Sequence, residues 1–209
     1  MKHFILMGDI IGSSGKNHPK LMDDFDKTVS FANQKHKRRI LSPLTITLGD
    51  EFQGIVKDAD SAGVIIIAME EFIIENRLGF KLRYVLNQGK INTPVNKTRS
   101  YKMLGEGLAD ARKQLERLKK SGDRFRFFLE DTENTLVVNL VFRIIKNVAG
   151  KWNVEKDHEI ISSFLKHKDY KIVAEKLGKS RSQVWKREKS LGFDSYFTAK
   201  EILTTILDA

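Results

Sequence analysis

The sequence predicts a mixed α/β fold, an α+β sandwich followed by a small all-α unit. In the first 130 residues, short apolar runs typical of strands alternate with longer amphipathic stretches, in the order β-α-β-β-α-β-α-β. From residue 131 onwards the periodic stretches are helical. Because a sheet buries its apolar faces under helices, we expect a layered α/β domain followed by a separate helical domain.

Five stretches carry the apolar pattern of strands, at residues 3–9, 44–48, 51–57, 81–86 and 124–129. Amphipathic spacing predicts helices at about 19–38, from residue 58 or 60 to 76, and at 104–120. Residues 131–148 predict a helix that is apolar on nearly every face. Such a helix is buried between two bodies or in a dimer interface, or is an ordinary core helix. We divide the chain into a sheet domain (1–130), a linking helix (131–150) and a helical domain (151–209).

Composition limits the classes of function. Hydrophobic residues make up 41% of the 209 residues, enough for a buried core. The lack of cysteine excludes disulfides, thiolate zinc sites and cysteine nucleophiles. No apolar run approaches the roughly 18 residues of a membrane span, and the chain opens on a predicted strand, so we expect a soluble cytoplasmic protein. The formal charge of +10 favours polyanionic partners.

Two aspartates, Asp9 and Asp50, stand at the ends of predicted strands. Gly49-Asp50-Glu51-Phe52 forms what reads as a tight hairpin turn, and Asp9 ends the first predicted strand. If these strands lie side by side, Asp9 and Asp50 meet at one end of the sheet, where hard oxygen ligands can hold Mg²⁺ against a triphosphate. The alternative is that Gly-Asp is only an ordinary hairpin turn. The pattern leaves both interpretations open.

The C-terminal segment has the spacing of a helix-turn-helix unit. Ala174 is small where two helices cross, Gly178 falls in the turn, Ser180 caps the second helix and Val184 packs back on the first. Such units bind either nucleic acid or protein. Residues 166–191 contain nine Lys or Arg against three Asp or Glu, which favours DNA as the partner.

In such a unit the second helix enters the major groove with its N-terminal residues. The candidates for DNA contact are therefore the polar residues at and after the turn: Lys179, Ser180, Arg181, Ser182, Gln183, Lys186 and Arg187. Trp185, on the same helix, could stack on a base, but a tryptophan in this position more often packs, so we expect it to pack against the domain. Thr198 predicts the cap of a last helix.

Four landmarks stand in order in the first part of the chain: residues 8–14 (GDIIGSS), 48–52 (LGDEF), 81–91 and 101–112. Together they resemble the palm-like domain that class III adenylyl cyclases share with GGDEF diguanylate cyclases. The first resembles the end of the cyclase first strand and its phosphate loop, and the second resembles GGDEF with its first glycine replaced. The third and fourth resemble a later cyclase strand and the start of the helix after it. The resemblance implies a ferredoxin-like palm fold.

This resemblance also implies a site for a nucleotide with Mg²⁺. It makes Asp9 and Asp50 metal ligands, with Glu51 beside them. The residues expected to hold the nucleotide are those of the phosphate loop and two cations on nearby segments: Ile10, Ile11, Gly12, Ser13, Ser14, Lys102 and Arg112. Arg83 also lies on a segment near this site and could neutralise phosphates. Because it alternates along a predicted strand with apolar neighbours, we favour a basic surface for it.

Several cyclase positions hold other residues in this chain. The lysine that selects the purine is expected near residues 43–46, which read PLTI, and an aspartate is expected where Lys102 stands. The transition-state asparagine and arginine of cyclases fall on Ala109 and Lys113. These departures argue against cyclase activity, although both metal aspartates remain.

The whole chain, residues 1–209, is similar to the bacterial SatD family, in which a palm-like domain precedes a helix-turn-helix. Three hypotheses follow. In the first, a homodimeric DNA-binding transcription regulator senses a nucleotide with Mg²⁺ through its palm-like domain. In the second, the chain is an active nucleotidyltransferase or cyclase with a recruitment module. In the third, both domains are binding modules and Asp50 is only a turn residue.

Overall fold

The computed structural model of the protein describes residues 1–12, 18–47 and 49–207. In this part of the chain the elements of the sheet region are β1 (Lys2–Ile10), α1 (His18–Lys35), β2 (Ile40–Ile46), β3 (Glu51–Val56), α2 (Ala59–Glu75), β4 (Leu82–Lys90), α3 (Glu106–Ser121) and β5 (Phe125–Phe128). The helices that follow are α4 (Thr132–Ala149), α5 (Val154–His167), α6 (Tyr170–Lys176), α7 (Arg181–Leu191) and α8 (Phe193–Leu207). The predicted element order of the sheet region is confirmed. Within the described ranges no helix is long and apolar enough to cross a membrane.

The strands form one sheet in the order β2-β3-β1-β4-β5, with β1 at its centre. β1 pairs antiparallel with both β3 and β4, and β2 pairs antiparallel with β3. β5 extends the sheet beyond β4 in parallel. A β-α-β-β-α-β unit with these neighbours is the ferredoxin-like arrangement, so the predicted α/β fold class is confirmed.

The sheet buries a different set of side chains on each face, because successive residues of a strand point to opposite sides. On one face Leu6 and Ile10 of β1 pack with α1 and α2. On the other face Ile5 and Met7 pack with the buried residues of α3. Asp9 continues the alternation of Ile5 and Met7. Its side chain therefore lies on the α3 face of the sheet.

Two glycines let α3 approach the sheet closely. A Cβ on Gly107 would lie 2.6 Å from the carbonyl carbon of Gly89 in β4 and 2.9 Å from Cδ1 of Ile5. The nearest obstacle is backbone, which cannot rotate away, so a side chain does not fit at Gly107. This contact holds the first turn of α3 against β4.

α4 joins the sheet to the C-terminal helices. Phe142 of α4 stacks on Phe125 and Phe127 of β5, with ring centres 5.0 and 4.8 Å apart. The same cluster of buried side chains continues through Trp152 to Phe193 of α8. The C-terminal helices therefore pack against α4 and the sheet through one continuous hydrophobic core. The division into domains 1–130, 131–150 and 151–209 stays a prediction.

Two details of the C-terminal helices differ from the sequence predictions. α8 begins at Phe193, ahead of the predicted cap at Thr198, because Gly192 ends α7 in the left-handed conformation and its carbonyl then accepts the N–H of Tyr196. Trp185 is 46% exposed instead of packed, because its neighbour Val184 takes the buried position on α7.

α4 buries one side of its apolar surface. The side chains that face the core are Val138, Val141, Phe142 and Ile145. The large apolar side chains that α4 leaves exposed are Leu136, Val137, Leu140 and Ile144. The helix is apolar on both faces, as predicted, but only one of these faces is buried against the rest of the protein.

Gly107→Ala should destabilise the protein by about 1–3 kcal/mol, because the added methyl overpacks against the backbone of β4. Gly79→Ala is the matched control, since a Cβ at Gly79 meets no atom within 4 Å. Its free energy of unfolding should not fall. Urea unfolding followed by circular dichroism measures both variants. Equal stability of the two would contradict the close approach of α3 to β4.

Candidate functional site

The ends of three strands bring the predicted acidic residues to one edge of the sheet. In the strand register Asp9 lies opposite Glu51 of β3 on one side and opposite Arg83 of β4 on the other. The N–H of Ile10 donates to the carbonyl of Asp50 at 3.0 Å. The structure thus gathers the three predicted metal ligands, Asp9, Asp50 and Glu51, at this edge.

Two of these carboxylates are buried, Asp9 with 3% and Glu51 with 5% of its surface exposed. A buried carboxylate is costly unless a cation and hydrogen bonds compensate it. Arg83 donates to Oδ2 of Asp9 at 2.8 Å, and Arg112 of α3 donates to Oε2 of Glu51 at 2.9 Å. Nζ of Lys119 lies between the two acids, 2.9 Å from Oε1 of Glu51 and 3.7 Å from Oδ2 of Asp9. We call these five residues the acid–base cluster.

Burial and neighbouring charges shift the pKa values of Asp9, Glu51 and Lys119. Burial raises the pKa of Asp9 and is only partly offset by the charges of Arg83 and Lys119, which leaves this pKa at about 6. Burial also acts to raise the pKa of Glu51, but Lys119 and Arg112 together outweigh it and lower this pKa below its usual value. For Lys119, burial lowers the pKa, and hydrogen bonds to carboxylates raise it by more. Lys119 is therefore held as a cation at neutral pH.

In this arrangement the donor set does not fit a divalent metal ion. Both oxygens of Glu51 and Oδ2 of Asp9 already contact cationic nitrogens. Oδ1 of Asp9 is buried and has no hydrogen-bond partner among the described residues, so it offers one ligand. Mg²⁺ requires roughly six oxygens in octahedral geometry. The described residues contain no group of three or more His, Cys, Asp or Glu side chains that could hold an ion. Lys119 stands where a cation would bridge the two acids.

The backbone amides at the end of β1 serve the fold. The N–H of Ile10 donates to Asp50, as above, and the N–H of Ile11 donates to the carbonyl of Lys81 at 2.9 Å. The side chain of Ile10 is buried in the core. These two predicted nucleotide-binding residues therefore hold β1 to its neighbours in this structure.

The other predicted nucleotide-binding residues are spread around the same region. Gly12 lies in an exposed turn with a left-handed φ of 65°. Ser13 and Ser14 lie outside the described residues. Lys102 is exposed on the segment between β4 and α3, also with a left-handed φ, of 58°. Arg112 alone of this set belongs to the acid–base cluster.

Sequence reasoning missed two members of the cluster. The assignment of Arg83 to a basic surface is wrong, since Arg83 is buried against Asp9. The register of β1 with β4, which pairs these two positions, was the missing information. Lys119 stands two helical turns after Arg112, and this spacing places both on one face of α3. The sequence shows this periodicity, but it does not show that the partners of Arg112 and Lys119 are Glu51 and Asp9 on the sheet.

The C-terminal candidates lie at the start of α7. Ser180 and Gln183 form a capping box in which each side chain accepts the other's backbone N–H. Gly178 takes a left-handed φ of 60° in the turn, and Val184 is fully buried. The local features match the predicted spacing. Whether α6 and α7 bind DNA stays a prediction.

The cations around α7 fall into two groups. Lys179, Arg181 and Lys186 are exposed and form no ion pair within the described ranges, and Ser182 is exposed beside them. Arg187 is half-buried and forms an ion pair with Asp157 of α5 at 2.6 Å. The first group faces solvent, while Arg187 connects two helices.

Lys119→Met should raise the pKa of Asp9 above about 6, because the lysine cation beside Asp9 lowers that pKa. Lys113→Met is the matched control, since Lys113 is exposed on α3 outside the cluster, and it should leave the titration of Asp9 unchanged. A ¹³C NMR titration of the side-chain carboxyl carbons measures both. An unmoved pKa in Lys119→Met would remove Lys119 from the cluster.

Comparisons with known proteins place the chain among its relatives. No curated protein matches it. Among solved structures it is similar to the dimeric guanylyl cyclase domain of the RhoGC fusion protein from the aquatic fungus Blastocladiella emersonii, at 17% identity and a TM-score of 0.41 over 58% of this chain and 76% of that one. The guanylate cyclase domain of RhGC from Catenaria anguillulae, solved with GTP, gives 18% identity and a TM-score of 0.41 over 57% and 72%. Likeness at this level carries no conclusion about activity. The family model that matches covers residues 3–207, nearly the whole chain, and the protein therefore belongs to the SatD family.

Proposed function

We propose that this SatD-family protein is a DNA-binding transcription regulator whose sheet region senses a nucleotide. The exposed cationic surface of α7 and its preceding turn, formed by Lys179, Arg181 and Lys186, carries the DNA part of the proposal. Val184 anchors α7 in the core, so these cations stand on a helix with a defined position. The formal charge of +10 supports a polyanionic partner.

Within α7, the side chains that remain free to contact DNA are few. The side chains of Ser180 and Gln183 are used in the capping box, and Arg187 is held by Asp157. The strongest candidates for contact are therefore Arg181, Ser182 and Lys186. The partial positive charge at the start of α7 favours a nearby phosphate. Exposed Trp185 adds apolar surface for thymine methyl groups.

A regulator of this kind reads two half-sites as a dimer, since the symmetry of an operator mirrors that of the protein. We propose that the protein is a cytoplasmic homodimer, because its target is cellular DNA and one copy of α7 reaches only one half-site.

Arg181→Ala and Lys186→Ala should each weaken binding to duplex DNA and lower the slope of log K against log salt by about 0.9, because each removes one phosphate-neutralising cation. Lys20→Ala, an exposed lysine of α1, is the matched control and should leave both quantities unchanged. Fluorescence anisotropy with a labelled duplex of mixed sequence, at several salt concentrations, measures them. If all three variants bind like wild type, α7 does not contact DNA.

The sensor part of the proposal rests on the acid–base cluster. A nucleotide phosphate is an anion that competes with Asp9 and Glu51 for the side chains of Arg83, Arg112 and Lys119. Binding then exchanges carboxylate contacts for phosphate contacts and loosens the hold of α3 on the sheet. Mg²⁺ enters this proposal only in a second arrangement, in which Lys119 has left the carboxylates.

A short chain of contacts supports communication between the sheet region and α7. Nε2 of His158 in α5 lies 2.8 Å from the carbonyl oxygen of Glu75 at the end of α2. On the same helix Asp157 holds Arg187 of α7. Under this proposal, a displacement of α5 relative to α2 would move Arg187 and, with it, the surface of α7 that we propose to face DNA.

A thermal-shift panel of nucleoside mono-, di- and triphosphates tests the sensor. A nucleotide at about 100 times its Kd should stabilise the protein by roughly 2.7 kcal/mol, because it binds only the folded state. The shift should persist in EDTA and be lost in Arg112→Met. A shift that needs both Mg²⁺ and Asp50, measured with Asp50→Asn, would identify the second arrangement. A flat panel would overturn the sensor, and conversion of a triphosphate to product would favour an enzyme instead.

A further inference from the structure

α4 carries an exposed apolar stripe on the side that faces away from the core. The stripe consists of Leu136, Val137, Leu140 and Ile144, with 61%, 36%, 43% and 44% of their surfaces exposed. Leu136, Leu140 and Ile144 are spaced by four residues, so they lie one above another on the helix. Scattered exposed apolar residues are ordinary, but a continuous row on one helix marks an interaction surface.

We propose that this stripe binds the same stripe of a second copy of the chain, with the two α4 helices antiparallel. Leu136 and Ile144 lie at equal distances on either side of Leu140, about 6 Å along the helix axis. A two-fold axis through Leu140 therefore sets Leu136 of one copy against Ile144 of the other. The stripe is complementary to itself, as a two-fold symmetric interface requires.

Charges on the same face of α4 favour the antiparallel direction. Glu133 is exposed at the start of the helix and Arg143 is exposed in its second half. An antiparallel pair brings Glu133 of each copy within about one helical turn of Arg143 of the other, so opposite charges attract. A parallel pair would place Arg143 of one chain opposite Arg143 of the other, and Glu133 opposite Glu133. Like charges facing each other would oppose that pairing.

The distance between the two C-terminal units also suits the antiparallel direction, an argument that rests on the proposed DNA binding. A Cβ on Gly192, at the end of α7, would lie 3.2 Å from Val148, near the end of α4. In the antiparallel pair the two Val148 residues lie roughly 24 Å apart along the axis, from a rise of about 1.5 Å per residue. This separation is of the same order as the roughly 34 Å between half-sites one DNA turn apart. A parallel pair would crowd the two units together.

Sedimentation equilibrium of the full chain tests the interface without reference to DNA. The wild type should dimerise, and Leu140→Glu should be monomeric at the same concentration, because it places two carboxylates together at the axis. Leu104→Glu is the matched control, since Leu104 is 72% exposed outside the stripe, and it should dimerise like wild type. A monomeric wild type, or dimers in all three proteins, would overturn the proposal.

Single cysteines test the direction of the pair, because the chain contains none of its own. In the antiparallel pair Leu140→Cys should form a disulfide-linked dimer on oxidation. Leu136→Cys and Ile144→Cys should each remain unlinked alone but link when mixed, since Leu136 faces Ile144 across the axis. Self-linking of all three variants would mean a parallel pair and would overturn the proposed direction.

The two proposals fail separately. Dimers that depend on Leu140 but do not bind DNA would leave the interface standing and overturn the regulator. Specific DNA binding by a monomer would support DNA binding by α7 and overturn the proposed interface.

Discussion

The burial of two carboxylates at the end of the central strand is the constraint on which the site depends. Asp9 and Glu51 sit opposite each other on neighbouring strands and are both shielded from water. Without cations, two acids in this position would repel each other and pay a large desolvation cost. Arg83 of β4 forms an ion pair with Asp9 from within the sheet, and Arg112 and Lys119 of α3 form ion pairs with Glu51. The position of α3 is thus set by charge at one end and by the contact of Gly107 with Gly89 at the other.

This arrangement changes what the acidic edge can do. Paired carboxylates at the ends of adjacent strands suit a metal ion, but here an ammonium group lies between them. A tethered lysine neutralises charge as a metal does, yet it has no open coordination position for a substrate oxygen. The cluster is therefore better suited to anion exchange at its cations than to metal-assisted chemistry.

α4 connects the sheet region to the C-terminal helices and carries an apolar surface on both of its faces. Its inner face completes the core through Phe142, which joins the aromatic residues of β5 to the buried side chains of α8. Its outer face is apolar as well, although a solvent-facing helix surface is normally polar. A helix with two apolar faces can pack the protein's own core on one side and a second copy on the other. The proposed dimer would thus fix the spacing of the two α7 helices through the same element that seats them on the sheet.

The element order, the α/β class and the local chemistry of α7 could all be predicted from the amino-acid sequence. These follow from short-range properties: apolar periodicity, the conformational freedom of Gly178, and the capping of α7 by Ser180 together with Gln183. The convergence of Asp9 and Asp50 was anticipated as a consequence of strand pairing. Tertiary structure alone decided that Arg83 and Lys119 neutralise the buried acids, because those contacts join residues 74 and 68 positions apart. It also decided which half of α4 is covered and that Trp185 faces solvent. Burial depends on which surfaces meet, and no local pattern encodes that choice.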